Sequence, residues 1–413
     1  MRILIVSSFL PFPLFSGGHI RLFNLIKKLS EKHEIILIGE QRDYQTQDDL
    51  KELKKICKEI ISVPRQKQWS IQTILKTGLS TYPFLMTGHT SNNFKEKIQN
   101  VLDSNKIDLI HVETFYVMQN LPKTDIPVVL IEHNIEYLVY QRYLQRVPVV
   151  FRPFLLIDII KIKYWENKFW KRANKVICVS EEEKKFIGRP DTEIVPNGVD
   201  LEKFKIHPFD KSFDRELRPN RLRTKFKVQK VEKRMLFIGD FKWIQNRDAV
   251  EWILKEIWPK INGRWRIENG SLTLWIVGRN IPSSIKNLSN DANIVFDENA
   301  SKDTFEIFKK ADILLSPIRV GGGTSFKILE AMASGVPVIT TKLGIEGIDA
   351  KNNKEVLLAE NANEFSDQVI NTLDNEKLYS DVVKNARKLI EEKYDWKIIV
   401  KKLEEVYGSV VIK

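Results

Sequence analysis

One glycine-rich stretch in the last third of the chain most restricts its fold. An apolar run at 311–317 has the length of a buried parallel strand, and residues 336–341 match a second one. Between them, Gly321–Gly323 allow a tight turn, and a helical stripe of apolar residues predicts a short helix capped by Thr324 and ended by Gly335. Strand, glycine loop, helix and strand in this order predict a parallel α/β sheet.

The start of this predicted helix has the features of an anion site. A helix that opens from a glycine loop presents unpaired N–H groups and a partial positive charge. Lys327 lies in its first turn and Glu330 one turn later, on the same face. A nucleotide would suit the pair, with the ammonium on phosphates and the carboxylate on ribose hydroxyls. The alternative is an ordinary surface Lys–Glu pair.

The stretch resembles the donor-binding segment of the GT-B glycosyltransferases, specifically the retaining family 4. Glu330 matches the second of the family's two glutamates, which implies a contact with the donor ribose. The first glutamate, which contacts the donor sugar, corresponds to Gly322, as in a Gly-Gly-Gly-Thr-x-x-Lys variant of the family. The resemblance therefore implies donor-binding roles for Gly322, Gly323, Thr324, Lys327 and Glu330, and catalytic roles for Lys327 and Glu330.

The length of 413 residues favours two domains. Pro-Asn-Gly-Val-Asp at 196–200 is a turn cluster that resembles the family's hinge segment, so the predicted domains are 1–200 and 201–396. The resemblance implies two Rossmann-like domains facing each other across a cleft, the first for the acceptor and the second for the donor. A C-terminal helix at about 397–413 is expected to return to the first domain.

The N-terminal domain supplies two candidate loops. Gly17 and Gly18 follow the first predicted strand and resemble the glycine loop that faces the donor phosphates in GT-B enzymes, with Arg21 one turn later as an acceptor or phosphate contact. His133-Asn134-Ile135-Glu136 follows another predicted strand, where open α/β sheets bind ligands. It is similar to the family's His-Asn-x-Glu segment, which implies a catalytic role for His133 beside the reacting sugar and acceptor-binding roles for Asn134 and Glu136.

The second domain departs from the family at its phosphate-binding cations. The family's Arg and Lys correspond to Asp240 and Asn246, which leaves more of the phosphate binding to Lys327, with Arg319 or Lys242 as substitutes. The remaining donor-site candidates are Asn246, Arg279, Glu298 and Arg319. Of these, Glu298 has a family counterpart beside the nucleotide base.

The net charge of +12 raises the question of nucleic-acid binding, and ten basic residues lie between Lys211 and Arg234. No nucleic-acid-binding motif accompanies them, so anionic substrates or an anionic membrane surface explain the charge better. Residues 147–170 are apolar with flanking cations, which fits either an interfacial helix or a long helix packed on the sheet.

Cellular location is inferred from three negative signals. The sequence shows no signal-peptide pattern and no spanning run, and its two cysteines lie in apolar surroundings. A cytoplasmic protein is expected, either free or peripheral on the inner face of the cytoplasmic membrane.

The resemblance implies a glycosyltransferase that moves a sugar from a nucleotide-diphosphate donor to a saccharide or lipid-linked acceptor in envelope or capsular polysaccharide synthesis. No Asp-x-Asp occurs, so we expect neither a metal nor another cofactor. The alternatives are another GT-B activity, such as a sugar-nucleotide epimerase or a phosphorylase, and a non-catalytic GT-B protein that binds a saccharide or a partner.

Overall fold

The computed structural model describes residues 1–144, 147–204, 232–265, 271–301, 303–321 and 323–411. It divides the chain into two compact units: Met1–Asn197 with Trp396–Lys413, and Gly198–Asp395. The boundaries placed after residues 200 and 396 from the sequence lie close to these divisions. The basic segment 211–234 lies outside the described residues up to residue 231.

Unit 1 contains a seven-stranded parallel sheet in the order β3-β2-β1-β4-β5-β6-β7. Its strands are β1 (Arg2–Ser7), β2 (Glu34–Gln41), β3 (Glu59–Pro64), β4 (Leu109–Glu113), β5 (Val128–Ile131), β6 (Lys175–Cys178) and β7 (Glu193–Ile194). Ile3 of β1 is in register with Ile35 of β2 and Leu109 of β4. The central strands are buried on both faces, which is why they read as continuous apolar runs.

Helices connect these strands. They are α1 (Gly17–Leu29), α2 (Gln47–Lys54), α3 (Ile71–Leu79), α4 (Phe84–Thr87), α5 (Asn92–Ser104), α6 (Glu136–Leu144), α7 (Arg152–Arg172) and α8 (Glu181–Ile187), with 3₁₀ turns at Phe115–Asn120 and Val149–Phe151. The predicted glycine opening of α1 is confirmed, because Ser16 is its N-cap and Gly17 its first residue.

Unit 2 contains a six-stranded parallel sheet in the order β10-β9-β8-β11-β12-β13. Its strands are β8 (Glu232–Ile238), β9 (Ser271–Val277), β10 (Ile294–Asp297), β11 (Ile313–Ser316), β12 (Val338–Thr340) and β13 (Leu357–Leu358). Its helices are α9 (Ile244–Trp252), α10 (Trp258–Trp265), α11 (Ser283–Lys286), α12 (Thr304–Phe308), α13 (Phe326–Ala333), α14 (Ala362–Asp374) and α15 (Glu376–Lys393), with a π-helical turn at Ile253–Ile257.

The glycine-rich stretch forms the predicted strand, loop, helix and strand, as β11, α13 and β12. Leu314 of β11 pairs in parallel with Val338 of β12. One detail of the prediction is wrong: Ser325, not Thr324, occupies the N-cap position, and its side chain makes no capping hydrogen bond. Thr324 is buried before the helix begins.

The last helix, α16 (Trp396–Val411), belongs to unit 1 and packs against α1. Leu403 and Tyr407 are fully buried on its inner face. At its edge, Glu404 accepts from His33 Nε2 and Lys32 Nζ, each at 3.0 Å. The predicted return of the C-terminal helix is therefore confirmed. Within the described ranges, no helix has both the length and the apolar character needed to cross a bilayer.

Candidate active site

The glycine loop of unit 2 turns the chain sharply between β11 and α13. Gly321 and Gly323 have φ angles of 109° and 84°, a region that residues with a side chain rarely adopt. Gly322, which occupies the position of the family's first glutamate, lies outside the described residues. The loop delivers the chain into α13, whose first turn contains Lys327.

Lys327 is an ammonium in poorly hydrated surroundings. Its Nζ donates to Oδ1 of Asn246 at 2.9 Å and lies 4.5 Å from the centroid of the Phe237 ring. Burial lowers the pKa of Lys327 to about 7, because the charged form is poorly solvated. Among the described residues no carboxylate pairs with it. A cation without a counter-charge in such a place is suited to receive an anion.

Asn246 holds this ammonium in position. It is almost fully buried, and its Nδ2 donates to the backbone oxygen of Asp240 at 2.8 Å while its Oδ1 faces Lys327. A Cβ on Gly239 would lie 2.7 Å from the Asn246 side chain, so the glycine makes room for the amide. The sequence analysis predicts that Asn246 binds the donor. The structure shows in addition that Asn246 orients the Lys327 side chain.

Glu330 lies one turn further along α13, in a separate environment. Burial raises the pKa of its carboxyl to about 7, against the opposing effects of the Lys203 charge and a hydrogen bond from Thr304. Lys203 is also 3.1 Å from Asp303, at the start of α12. Among the described residues Lys327 and Glu330 form no ion pair with each other, so the surface-pair alternative is not observed.

Thr324 presents a buried hydroxyl beside the loop. Its Oγ1 has no hydrogen-bond partner among the described residues. A Cβ on Gly347, where φ is 82°, would lie 2.5 Å from that oxygen, so the chain approaches it closely on one side. A buried hydroxyl without a hydrogen bond destabilises the folded protein, and a bound ligand could supply that hydrogen bond. This fits the predicted contact of Thr324 with the donor.

Arg319, a suggested substitute for the missing phosphate-binding pair, contacts a carboxylate in this structure. Its Nε and Nη2 each lie 3.2 Å from a carboxylate oxygen of Asp248, and its guanidinium stacks 4.4 Å from the Trp252 ring. Its charge is therefore already compensated within unit 2. A phosphate contact of Arg319 remains a prediction, in which the phosphate would compete with Asp248.

The two other donor candidates lie near the ends of β9 and β10. Arg279 is exposed directly after β9. Glu298 accepts from the backbone N–H of Ile281 at 3.1 Å and forms an ion pair with Lys286, whose hydrogen bond lowers the pKa of Glu298. The Glu298 carboxylate thus fastens the 281–286 segment, and a contact with the nucleotide base remains a prediction.

In unit 1, His133 belongs to a buried chain of polar side chains. Its Nε2 lies 2.6 Å from Oε1 of Glu113, whose Oε2 lies 2.5 Å from Nε2 of His111. The other ring nitrogen of His111 is 2.5 Å from the hydroxyl of Tyr407 on α16. His133 retains 16% side-chain exposure, whereas Glu113 and His111 have none. Glu113 thus lies at ion-pair distance from both imidazoles, although its Oε1 and His133 Nε2 do not have the geometry of a hydrogen bond.

The electrostatics of the chain centre on Glu113. Burial would raise the pKa of Glu113, but the His133 charge and the hydrogen bond from His111 hold it below its ordinary value. Burial raises the pKa of Tyr407 well above 10, and the Glu113 charge adds to that effect. Glu113 is thus a carboxylate and Tyr407 a neutral hydroxyl at physiological pH.

The sequence did not single out Glu113, His111 or Tyr407. The available signal was the His-Val-Glu sequence at the end of β4, whose alternate residues share one face of the strand. Glu113 is in register with Ile131 on β5, two residues before His133. The contribution of Tyr407 comes from a helix almost 300 residues away in sequence, which no local pattern indicates.

Asn134 and Glu136 lie at the start of α6. Both are half-buried, and burial raises the pKa of Glu136 to about 7. The Glu166 carboxylate accepts from the backbone N–H groups of Glu136 and Tyr137 at 2.7 and 3.2 Å, so it caps this helix. The His-Asn-x-Glu segment is therefore anchored from α7, while an acceptor role for Asn134 and Glu136 remains a prediction.

Arg21 has a structural role instead of the predicted acceptor or phosphate contact. It is 1% exposed, and its guanidinium donates to the backbone oxygens of Val195 and Pro196 and to Oδ1 of Asn197, at 2.7–3.0 Å. The residue therefore fixes the Pro-Asn-Gly segment at the end of unit 1. Gly18 packs closely on Phe9, whose ring lies 3.3 Å from where a Cβ would be.

In the described part of the chain, no three His, Cys, Asp or Glu side chains are grouped as metal ligands would be. Metal independence remains a prediction.

Two family models match the chain. One, described as Glycosyltransferase Family 4, matches residues 15–203, and the other, described as Glycosyl transferases group 1, matches residues 232–375. Together they cover most of both units. The chain belongs to the glycosyltransferases.

Similar proteins extend over nearly the whole length of this glycosyltransferase. An uncharacterized 44.6 kDa protein in the cps region of Klebsiella pneumoniae is 21% identical, covering 96% of this chain and 97% of that protein. Sucrose-phosphate synthase from Thermosynechococcus elongatus has the same fold, with a TM-score of 0.69, 15% identity and 99% coverage of both chains. HepE of Anabaena, solved in complex with UDP and glucose, has a TM-score of 0.64 at 14% identity, covering 99% of this chain and all of that one.

Proposed function

We propose that this glycosyltransferase transfers a sugar, with retention of configuration, from a nucleotide-diphosphate sugar to a saccharide or lipid-linked acceptor in polysaccharide synthesis. The observation that carries the proposal is Lys327, a poorly hydrated ammonium without a carboxylate partner among the described residues, in the first turn of a helix that follows a glycine loop. The similar protein from a cps region supports the polysaccharide context.

The diphosphate suits the Lys327 environment for electrostatic reasons. An ammonium has three donors, and Asn246 occupies one, so the others are available to phosphate oxygens. When the glycosidic bond breaks, negative charge grows on the departing diphosphate. A fixed cation, backbone N–H groups and the α13 dipole would stabilise that charge without reorganising. The structure of HepE with UDP supports a nucleotide at a site of this fold.

The neighbouring residues fit the other parts of a donor. Thr324 offers an unsatisfied hydroxyl beside the loop, and Glu330 offers a carboxyl for ribose hydroxyls. On this proposal His133, at ion-pair distance from Glu113, lies beside the reacting sugar. Transfer would occur on the donor's own face, with a phosphate oxygen as base and no metal.

The experiment is calorimetric titration with UDP-, GDP-, ADP- and dTDP-sugars, and with CMP, followed by assay of the product's anomeric configuration by NMR. One nucleotide should bind, and Lys327→Met should weaken its binding by about 10- to 100-fold, since a charge-assisted hydrogen bond contributes about 1.5–3 kcal/mol. Lys255→Met removes an exposed lysine that is paired with Glu251, and it should leave binding unchanged.

The outcomes separate the possibilities. Product with the donor's anomeric configuration supports retention, and inverted product contradicts it. Epimerised or free sugar without transfer would identify another GT-B activity. If no nucleotide binds, the proposed donor site is wrong and a saccharide-binding protein becomes the better interpretation.

A further inference from the structure

Helix α3 exposes the face that a surface helix normally buries. Its buried residue is Thr73, at 7% exposure, whereas Leu79 is 93% exposed. The exposed apolar side chains recur at helical spacing, just after an exposed tryptophan; they are Trp69, Ile71, Ile74, Leu75 and Leu79. Apolar stripes in globular proteins usually face the core, so this orientation requires a reason outside the unit's own packing.

The first half of α7 and the turn before it show the same inversion. The exposed apolar residues are Val149, Val150, Phe151, Phe154, Leu156, Ile157 and Ile160, with Phe154 at 72% and Ile160 at 67%. The second half of the helix is different, because Trp165, Phe169 and Trp170 are buried in the core of unit 1. The interpretation as a helix packed on the sheet therefore holds for the second half of the segment, and the interfacial interpretation stays a prediction for the first half.

Helix α7 contacts the C-terminal end of α3. Lys161 Nζ donates to the backbone oxygens of Thr77 and Ser80 at 3.0 and 2.7 Å, so it caps the C-terminus of α3 on either side of Leu79. Asp158 accepts from the backbone N–H of Phe84 at 2.8 Å. The exposed apolar residues of α3 and α7 therefore belong to one neighbourhood, which we call the apolar surface.

Toward the C-terminus of α7, the exposed face of the helix changes from apolar to cationic. Phe154, Ile157, Ile160 and Tyr164 recur at helical spacing, and the same spacing continues to Lys168 and Lys171. Over about 25 Å the exposed face therefore changes from apolar through an amphipathic tyrosine to lysine.

The transition coincides with a shallow groove of about 470 Å³. Its lining residues are Ile160, Lys163, Tyr164, Asn167, Lys168 and Lys171. Three ammonium groups and apolar side chains thus share one depression.

Carboxylates are almost absent from these segments. Residues 65–84 contain none, and residues 147–172 contain only Asp158 and Glu166. Asp158 accepts from Phe84, and Glu166 is fully buried and caps α6. The exposed charge beside the apolar surface is therefore positive.

We propose that the apolar surface docks unit 1 on an anionic lipid bilayer. The side chains of α3 and the first half of α7 insert among the lipid chains, Tyr164 lies at the headgroup level, and Lys163, Lys168 and Lys171 meet the anionic phosphates. A bilayer fits better than a second copy of the chain, because like charges would face each other across an interface between copies.

The test is sedimentation of the full-length protein with vesicles of phosphatidylcholine alone or mixed with phosphatidylglycerol. The protein should bind the anionic vesicles more tightly. Leu75→Glu/Leu79→Glu and Phe154→Glu/Ile157→Glu should each weaken binding by at least about tenfold per side chain, since inserting a leucine or phenylalanine contributes about 1.5–3 kcal/mol. Lys168→Gln/Lys171→Gln should reduce the preference for anionic lipid by about fivefold per lysine.

The matched control is Phe186→Glu/Ile398→Glu, which adds the same charge at exposed apolar positions on α8 and α16. It should bind like the unaltered protein, and circular dichroism should show all variants folded. Failure of the unaltered protein to bind anionic vesicles would overturn the proposal, as would equal loss in the control. Self-association that the apolar-surface variants abolish, without vesicle binding, would assign the surface to a second copy. The assay contains no nucleotide, so its failure leaves the proposed transfer untouched.

Discussion

The partner of Lys327 in the candidate phosphate site is the neutral amide of Asn246 and not a carboxylate. Asn246 gives Lys327 a neutral acceptor, which fixes the ammonium without neutralising it. Most of the Asn246 side chain is itself enclosed by Gly239 and the Asp240 backbone, so its orientation is determined locally. The charge state of Lys327 is therefore set by what else enters the site.

Asn246→Asp tests this arrangement with almost no change in shape. The new carboxylate would pair with Lys327, raise its pKa and compete with the diphosphate for the same charge. We expect nucleotide-sugar affinity to fall by about 10- to 100-fold, equivalent to about 1.5–3 kcal/mol. Calorimetric titration measures the effect, and Asp248→Asn, which alters the Arg319 pair instead, is the comparison. Unchanged affinity in Asn246→Asp would show that the diphosphate does not depend on the charge of Lys327.

The lowered pKa of Lys327 predicts pH-dependent donor binding. Free Lys327 loses its proton near pH 7, and a bound diphosphate would raise that pKa. Affinity should therefore be greatest below pH 7 and fall by up to about tenfold per pH unit above it, until the pKa of the complex is reached. A nucleotide sugar is the right probe, because its diphosphate has no terminal phosphate that titrates in this range. If the affinity of Lys327→Met does not change with pH, the pH dependence of the unaltered protein is assigned to Lys327. If the affinity of the unaltered protein does not change with pH, the prediction is wrong.

The sequence could indicate residues such as Lys327 because their position in a strand–loop–helix unit has a physical meaning. It misassigned Arg21, because a cation one turn into a helix is equally compatible with a ligand contact and with burial against distant carbonyl groups. It could not recognise that Asp248 compensates Arg319, since that contact spans 71 residues. Local pattern indicates a chemical group, whereas its availability depends on tertiary contacts.

At the scale of elements, the adjacent ends of β4 and β5 bring Glu113 and His133 together, a contact that the sequence of neither strand indicates alone. Glu113 closes β4 and contacts the histidine that follows β5, and the parallel register makes this meeting inevitable. The Glu113 charge beside one ring nitrogen favours one orientation of the imidazole, which a group beside a reacting sugar needs.

Glu113→Gln tests whether Glu113 positions His133. It keeps the size of the side chain but removes the charge between the two histidines. The proposed transfer rate should fall by at least about tenfold, with binding of the nucleotide sugar nearly unchanged, because the proposed diphosphate and ribose contacts of Lys327 and Glu330 lie in unit 2. A parallel loss of both would indicate a general structural defect. Glu181→Gln, at an exposed position in α8, is the control.

The same substitution has a defined effect on stability. Because the folded state lowers the pKa of Glu113, the carboxylate stabilises the protein above its unfolded pKa of about 4.5, and this contribution is lost as pH falls toward the folded value. At neutral pH the variant should be less stable by about 1–3 kcal/mol. The difference should shrink below about pH 4.5, as denaturant unfolding at several pH values would show.

The elements that the sequence missed are those whose burial is unusual. Strand β3 lies at a sheet edge, begins with Glu59 and ends with Pro64, and has a single buried residue, Val63, so its sequence lacks the apolar run of a central strand. Edge strands carry weaker apolar signals than central ones, because solvent covers one side. Helix α3 has the converse property: its apolar period was present, but only the structure shows that the stripe faces outward.

At the scale of the whole molecule, the chain builds two separately cored units and returns to the first one at its end. The order of predicted strands and helices was sufficient for two parallel sheets, because each βα unit has its own periodicity. The final return rested on family resemblance, since an amphipathic helix does not specify what it covers. In the structure, α16 completes unit 1 through residues buried on one face, including Leu403, Val406 and Tyr407.

This assignment predicts that damage to α16 will be confined to one unit. Leu403→Ala removes a fully buried side chain and should destabilise unit 1 by about 2–5 kcal/mol, whereas Lys402→Ala, at the exposed neighbouring position, should change little. A nucleotide that binds unit 2 stabilises only the transition of that unit, by about 2.7 kcal/mol at a hundredfold excess over its dissociation constant. Calorimetric unfolding with and without the nucleotide should therefore show the mutation lowering one transition and the ligand raising the other. If Leu403→Ala instead lowers the ligand-responsive transition by the same amount, the two units unfold as one, and the stability of the donor site depends on the last helix of the chain.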